Sequence, residues 1–192
     1  GTIASRGTGM LRTIVIAAAI GSSGPLADAY NIPNAAPNAV YDLLLGGILT
    51  SVVVPLLVKA VKDDAATGEA YAQRLLTIVA VLLGAATIVA VVAAPLVIDV
   101  YGGFTGSQRT LAITFARYFL PQIFFYGMSA IIGAILNTRG RFAAPMWTPV
   151  LNNIVLIVTG SMFIVITHRH TTALTTGQQM LLGIGTTAGV VV

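Results

Sequence analysis

The sequence predicts an all-α fold, a polytopic transmembrane helix bundle of about six spans occupying residues 1–192 as one transmembrane unit. Three observations carry that prediction. Hydrophobic residues make up 56% of the chain and charged residues only 8%, against roughly 25% charged in an ordinary soluble domain. A chain so poor in charge lacks the polar surface that water demands, whereas a bilayer is itself an apolar solvent. Residues free of Asp, Glu, Lys and Arg also come in runs: Leu75 to Ile98, Tyr118 to Thr138, Phe142 to Thr167 and Thr171 to Val192. Each run is near the roughly 20 residues that a spanning helix needs. Finally, the charged residues gather between the runs.

The first segment covers about 3–20 and contains Arg6 and Arg12. Because Arg12 interrupts its most apolar stretch and another span follows soon after, it does not read as a cleaved signal peptide. Gly21-Ser22-Ser23-Gly24-Pro25 is a turn. The second segment covers about 26–58, interrupted by Pro33 and Pro37, and leads into a polar stretch from Lys59 to Arg74. The third covers about 75–98 and is followed by a Gly-rich loop from Tyr101 to Arg109. The fourth, about 111–137, ends at a basic turn, Arg139-Gly140-Arg141. The fifth, about 144–166, closes on His168-Arg169-His170. The sixth begins near Gln178 and is still apolar at Val192, so 178–192 is expected to be a truncated span and the chain a piece of a longer protein.

Loop charge sets the expected orientation. If the spans alternate, Lys59, Lys62, Arg74, Arg139 and Arg141 share one side, against Arg109 and Arg169 on the other. The excess of Lys and Arg on cytoplasmic loops then places the first group, and the N-terminus, in the cytoplasm. The same excess accounts for the net charge of +4 without nucleic acid as a partner. There is no cysteine, hence no disulfide framework or thiolate metal site. His168 and His170 read as a solvated loop rather than a metal pair. No nucleophile–base pair, metal cluster, cofactor motif or phosphate-cradling loop is present, so the chain reads as a transporter rather than an enzyme.

Charged residues inside apolar segments are the candidate functional groups. A guanidinium at the centre of a bilayer costs at least about 2.5–3.5 kcal/mol on insertion scales. Such a group faces a bundle interior or wet cavity, or snorkels to the headgroups from near a helix end. Snorkelling competes strongly for Arg6, near the cytoplasmic end, and less so for Arg12, one and a half turns deeper. Asp28 opens the second segment, where an acid is also favoured by the helix dipole. Asp42 sits about four turns into that segment, where it requires a cation, a proton or water. Pro33-Asn34 and Pro37-Asn38 each remove a backbone hydrogen bond. Broken helices are tolerated in membranes where they face protein or a cavity, so Pro33 and Pro37 are candidate hinge residues, with a static kink as the alternative. Pro145, Pro149, Asn152 and Asn153 repeat the theme more weakly, the Asn pair as possible interhelical glue.

Two ordered sets of residues resemble a known family. Ser5-Arg6-x-x-Gly9-x-x-Arg12, then Gly21, Ala27-Asp28-Ala29-Tyr30, Pro37-Asn38, Gly47 and Pro55 resemble the opening of the MurJ/MviN lipid II flippases. Gly133-Ala134-Ile135-Leu136-Asn137-Thr138-x-x-Arg141-Phe142-x-x-Pro145 is similar to the turn between that family's fourth and fifth spans, and Ala93-Ala94-Pro95 also fits. The resemblance implies the first lobe of a transporter with the MATE-like fold of the MOP exporter superfamily, in the bacterial inner membrane. It implies a cargo, lipid II, carried from the inner to the outer leaflet by alternating access for cell-wall synthesis. The implied partners are lipid II, membrane lipids and cell-wall synthesis proteins. Arg6, Arg12 and Asp28 match the family's functional positions. One departure stands out: Tyr41-Asp42 and Gly46 occupy positions that often carry a basic pair and an acid in the family. A pyrophosphate cargo suits arginine, whose planar fork pairs bidentately with phosphate. With no ATP-binding motif, transport would draw on an ion gradient, the membrane potential or a partner. A cation-coupled exporter of drug-like molecules using Asp28 or Asp42, and a non-transporting scaffold for cell-wall enzymes, are the competing readings.

Overall fold

The structure is a computed structural model and describes residues 2–43, 65–138, 140–141, 143–167 and 174–191. These form helices α1 (Thr2–Ile20), α2 (Pro25–Leu43), α3 (Ala65–Val92), α4 (Ala94–Tyr101), α5 (Gly106–Phe119), α6 (Gln122–Thr138), α7 (Ala143–Ile166) and α8 (Thr176–Val191). The fold is all-α. The part of the expected second segment from 44 to 58, the polar stretch from 59 to 64, and His168-Arg169-His170 lie outside the described residues.

Helix limits follow local chemistry. Gly21 (φ 91°) ends α1 and Gly24 (φ 107°) precedes α2, both in a left-handed region that glycine enters without a Cβ penalty. Pro25 then occupies the first position of α2, where its missing N–H would be unpaired anyway. Helix α3 stops at Val92 and α4 restarts one residue later. Pro95 lacks the N–H that would reach the Val91 carbonyl, and the ladder resumes as Val97 N–H donates to the Ala93 carbonyl at 3.0 Å.

The apolar run expected as one span over 111–137 is divided at Leu120-Pro121, between α5 and α6. Pro121 cannot donate. The chain closes the gap with tight turns, Ile123 N–H to Leu120 O at 3.0 Å and Phe124 N–H to Pro121 O at 3.2 Å. The Thr187 hydroxyl of α8 donates to the Tyr118 carbonyl at 2.6 Å, satisfying an acceptor at the end of α5.

Contacts reveal the direction of each helix. Asn153 donates to Ser5 O and Thr8 Oγ1, while Gly160 lies against Val15, so α7 runs parallel to α1. Gly185 meets Thr159 and Gly189 meets Asn152, so α8 runs antiparallel to α7. Leu83 faces Gly127 and Ala72 clusters with Ile131 and Ile135, so α3 and α6 are antiparallel. Gln108 donates to Pro25 O and Tyr30 packs on Phe115 and Phe119, so α2 and α5 are parallel. The path alternates, with α5 and α6 making one pass between them.

The core joins α2 to α5 and α8. Tyr30 sits edge-on to Phe115 and Phe119 at 5.6 and 5.2 Å, with its hydroxyl 2.6 Å from Thr186 Oγ1. Outward faces are apolar instead: Ile78, Val81, Leu82, Ile88, Val89 and Val92 are exposed on α3, as are Leu151, Val158 and Val165 on α7. Such continuous apolar surface is an aggregation liability in water and the natural exterior in lipid. Among the described residues, four stretches are long and apolar enough to cross a membrane: Ile3–Ile20, Ala72–Val92, Gly106–Asn137 and Met146–Ile166. The chain is a multi-pass membrane protein.

Beyond the third apolar run, the Arg109 guanidinium grips Asp99 with two hydrogen bonds, at 2.8 and 2.9 Å. These hold the Asp99 carboxyl below the usual carboxylate range. A depressed folded pKa contributes stability above the unfolded value of about 3.9, and the contribution disappears as pH falls through the folded pKa. Both side chains are nearly half exposed, so solvent screens the pair. Asp99→Asn is therefore expected to lower the melting temperature in detergent little at pH 7 and less still at pH 3, measured by paired thermal scans. A larger deficit at pH 3 than at pH 7 would contradict this assignment.

Candidate functional site

A membrane helix that turns polar groups inward needs something polar to meet them. Here α1, α2, α6, α7 and α8 enclose a cavity of about 460 Å³, within the size range of small-molecule sites. Its wall carries Arg12 from α1, Asn31, Asn34 and Asn38 from α2, Gln122 and Tyr126 from α6, Asn152 from α7, and Thr186 from α8. Arg12 is the charged residue among those lining it. It is half-buried, and the structure shows no salt bridge from it to a described acid.

The α2 asparagines fall at i, i+3 and i+7, one stripe of a helix. A neighbouring face of α2 buries Ala29, Pro33 and Pro37, with Tyr30, also buried, between that face and the cavity. α2 is helical through both prolines. The Asn38 amide donates to Asn34 O at 3.0 Å, one residue beyond the Pro33 carbonyl that Pro37 frees.

Gln122 opens α6 immediately after the break. Its amide donates to Thr187 Oγ1 at 3.0 Å. Thr187 spends its own proton on the Tyr118 carbonyl, so it can only accept from Gln122, and this fixes the carboxamide orientation. The Gln122 Oε1 is left buried without a partner, as is Asn152 Oδ1. Each orphan acceptor costs about 1–3 kcal/mol.

The sequence-predicted residues separate. Arg12 lines the cavity, while Arg6, Asp28 and Asp42 are exposed and lie outside its lining. Asp28 occupies the first turn of α2, where an acid interacts favourably with the helix dipole. The Asn152-Asn153 pair divides as well. Asn153 ties α7 to α1 and Asn152 turns to the cavity, as neighbours about 100° apart must. Sequence reasoning missed Asn31, Gln122, Tyr126 and Thr186. The three-and-four spacing of Asn31, Asn34 and Asn38 was an available signal; the place of Gln122 depends on a break that apolar composition conceals.

Residues 16–192 match the family described as lipid II flippase MurJ. A lipid II flippase from Burkholderia cenocepacia is 32% identical over 167 residues, covering 81% of this chain and 31% of its own length. Probable lipid II flippases from Vibrio cholerae and Haemophilus influenzae are each 30% identical, over 168 and 174 residues. Both alignments cover 82% of this chain, and 32% and 33% of the relatives. The chain thus spans about a third of the length of the curated relatives it matches.

Proposed function

The chain belongs to the MurJ family of lipid II flippases, and from that premise we propose that it forms the first lobe of a flippase in the bacterial inner membrane. The whole protein carries lipid II from the inner to the outer leaflet by alternating access of two lobes, in the MATE-like arrangement of the MOP exporters. The observation that carries this reading is Arg12. It brings one guanidinium to a polar cavity inside a lipid-facing bundle. A pyrophosphate leaving water requires a cation or aligned N–H donors, and arginine offers a fork that fits phosphate oxygens. Arg6, one turn and a half toward the N-terminus, meets the cargo on its way in. Pro33 and Pro37, buried against the bundle, act as the hinge of α2. The cation-coupled exporter reading needs Asp28 or Asp42 at the cavity, and neither lines it.

Translocation of lipid II by full-length protein carrying Arg12→Ala tests the proposal: flipping is expected to fail while the protein still inserts. Orientation is tested separately. The N-terminus, position 63 and position 140 are assigned to the cytoplasm and position 103 to the outside, from the distribution of Lys and Arg. Single cysteines at Asp63, Gly103 and Gly140 should react with an impermeant thiol reagent on intact spheroplasts only at 103. Reaction at 63 or 140 with none at 103 reverses the orientation.

A further inference from the structure

The cavity is polar far beyond what one phosphate contact requires. Apart from Arg12, its polar lining is made of carboxamides and hydroxyls. Asn31 and Asn34 make no side-chain hydrogen bond with the described residues, whereas Asn38 uses one N–H on the α2 backbone. Gln122 Oε1 is an orphan acceptor whose orientation is fixed by Thr187 and Tyr118. Asn31 and Asn38 are seven residues apart, about 10 Å along the helix axis, which exceeds a single sugar ring.

Carboxamides in a row suit a particular chemistry. Each offers both a donor and an acceptor, matching a hydroxyl or an N-acyl group, which also donates and accepts. A second ionic group beside the pyrophosphate would call for more charge than Arg12 supplies. Drug-like aromatic cargo would call for an apolar wall.

We propose that the stripe of Asn31, Asn34 and Asn38, which shares the cavity lining with Arg12, is the specificity element for the uncharged, hydroxyl- and N-acyl-rich sugars attached to the pyrophosphate, with Arg12 holding the anion. The inference rests on the cargo reading above and assigns a different part of the cargo to different residues.

Binding to full-length protein in nanodiscs tests it, with two probes: lipid II and bare undecaprenyl pyrophosphate. The parent protein should bind lipid II more tightly. Asn31→Ala combined with Asn34→Leu should weaken lipid II binding by roughly tenfold, since each lost neutral hydrogen bond costs a few-fold. The same variant should bind the bare carrier as the parent does, which also shows that it is folded. Arg12→Ala should weaken both probes alike. A double variant that keeps the parent's preference for lipid II overturns the inference, as does one that loses both probes equally. Unchanged binding of both probes by Arg12→Ala overturns the cargo reading instead, so the two failures are distinguishable.

Discussion

Arg12→Ala in the full-length protein is expected to abolish lipid II translocation without preventing folding or insertion. Arg12 is half-buried at the cavity wall and has no salt bridge with a described acid, so removing it breaks no structural pair. In the proposed function, it removes the charge that repays the dehydration of a pyrophosphate. Truncating one partner of a desolvated charge contact typically costs about 2–5 kcal/mol, or roughly 30- to several-thousand-fold in binding. Arg12→Lys retains charge but loses the bidentate fork, so partial activity is expected. Complementation of a flippase-depleted strain, with membrane abundance measured in parallel, checks both variants. Full activity in a well-expressed Arg12→Ala strain contradicts the assignment.

The second large effect is structural. Gly183 is buried on α8, and a Cβ there would collide with the ring and Cβ of Tyr118 on α5. These atoms sit at the root of the side chain, so the ring cannot simply swing away. Gly183→Leu must separate α5 from α8. That separation strains the Thr187–Tyr118 and Gln122–Thr187 hydrogen bonds just beyond it. Overpacking of this kind costs about 1–3 kcal/mol, sometimes more, and the protein is expected to be lost from the membrane fraction or to aggregate on size exclusion. Adding Tyr118→Ala should restore much of the monodisperse material, because residues in contact couple in double-mutant cycles. No rescue by Tyr118→Ala would place the defect elsewhere.

How much of this was legible in the sequence depends on the kind of signal. The resemblance rested on ordered short motifs, and it agrees with the family matched over residues 16–192. The membrane character followed from composition and run length, which survive without any knowledge of packing. The α1–α2 turn was legible because Gly21, Gly24 and Pro25 act locally. The division at Leu120-Pro121 was not: an uncharged run from Tyr118 to Thr138 looks continuous, and proline inside a membrane helix is often tolerated. Pro33 and Pro37 show that tolerance directly, since α2 is helical through both. The site was legible where energy singles out a residue, as the cost of a guanidinium in hydrocarbon does for Arg12. It was illegible where inward and outward positions differ only by rotation. Asn152 and Asn153 are chemically identical, yet one lines the cavity and the other bonds to α1. Gln122 enters the site only because the chain breaks beside it and α8 comes close.

The central claim is that lipid-linked pyrophosphate cargo occupies the cavity bounded by Arg12 and the α2 stripe. Photo-crosslinking measures this most directly. A benzophenone amino acid replaces Asn34 at the cavity wall or Ile78 on the exposed apolar face of α3, in full-length protein supplied with radiolabelled lipid II. The account predicts strong labelling at position 34, lost when Arg12→Ala is added, and only background labelling at position 78. Equal labelling at both positions, or labelling at 34 that persists without Arg12, would contradict it.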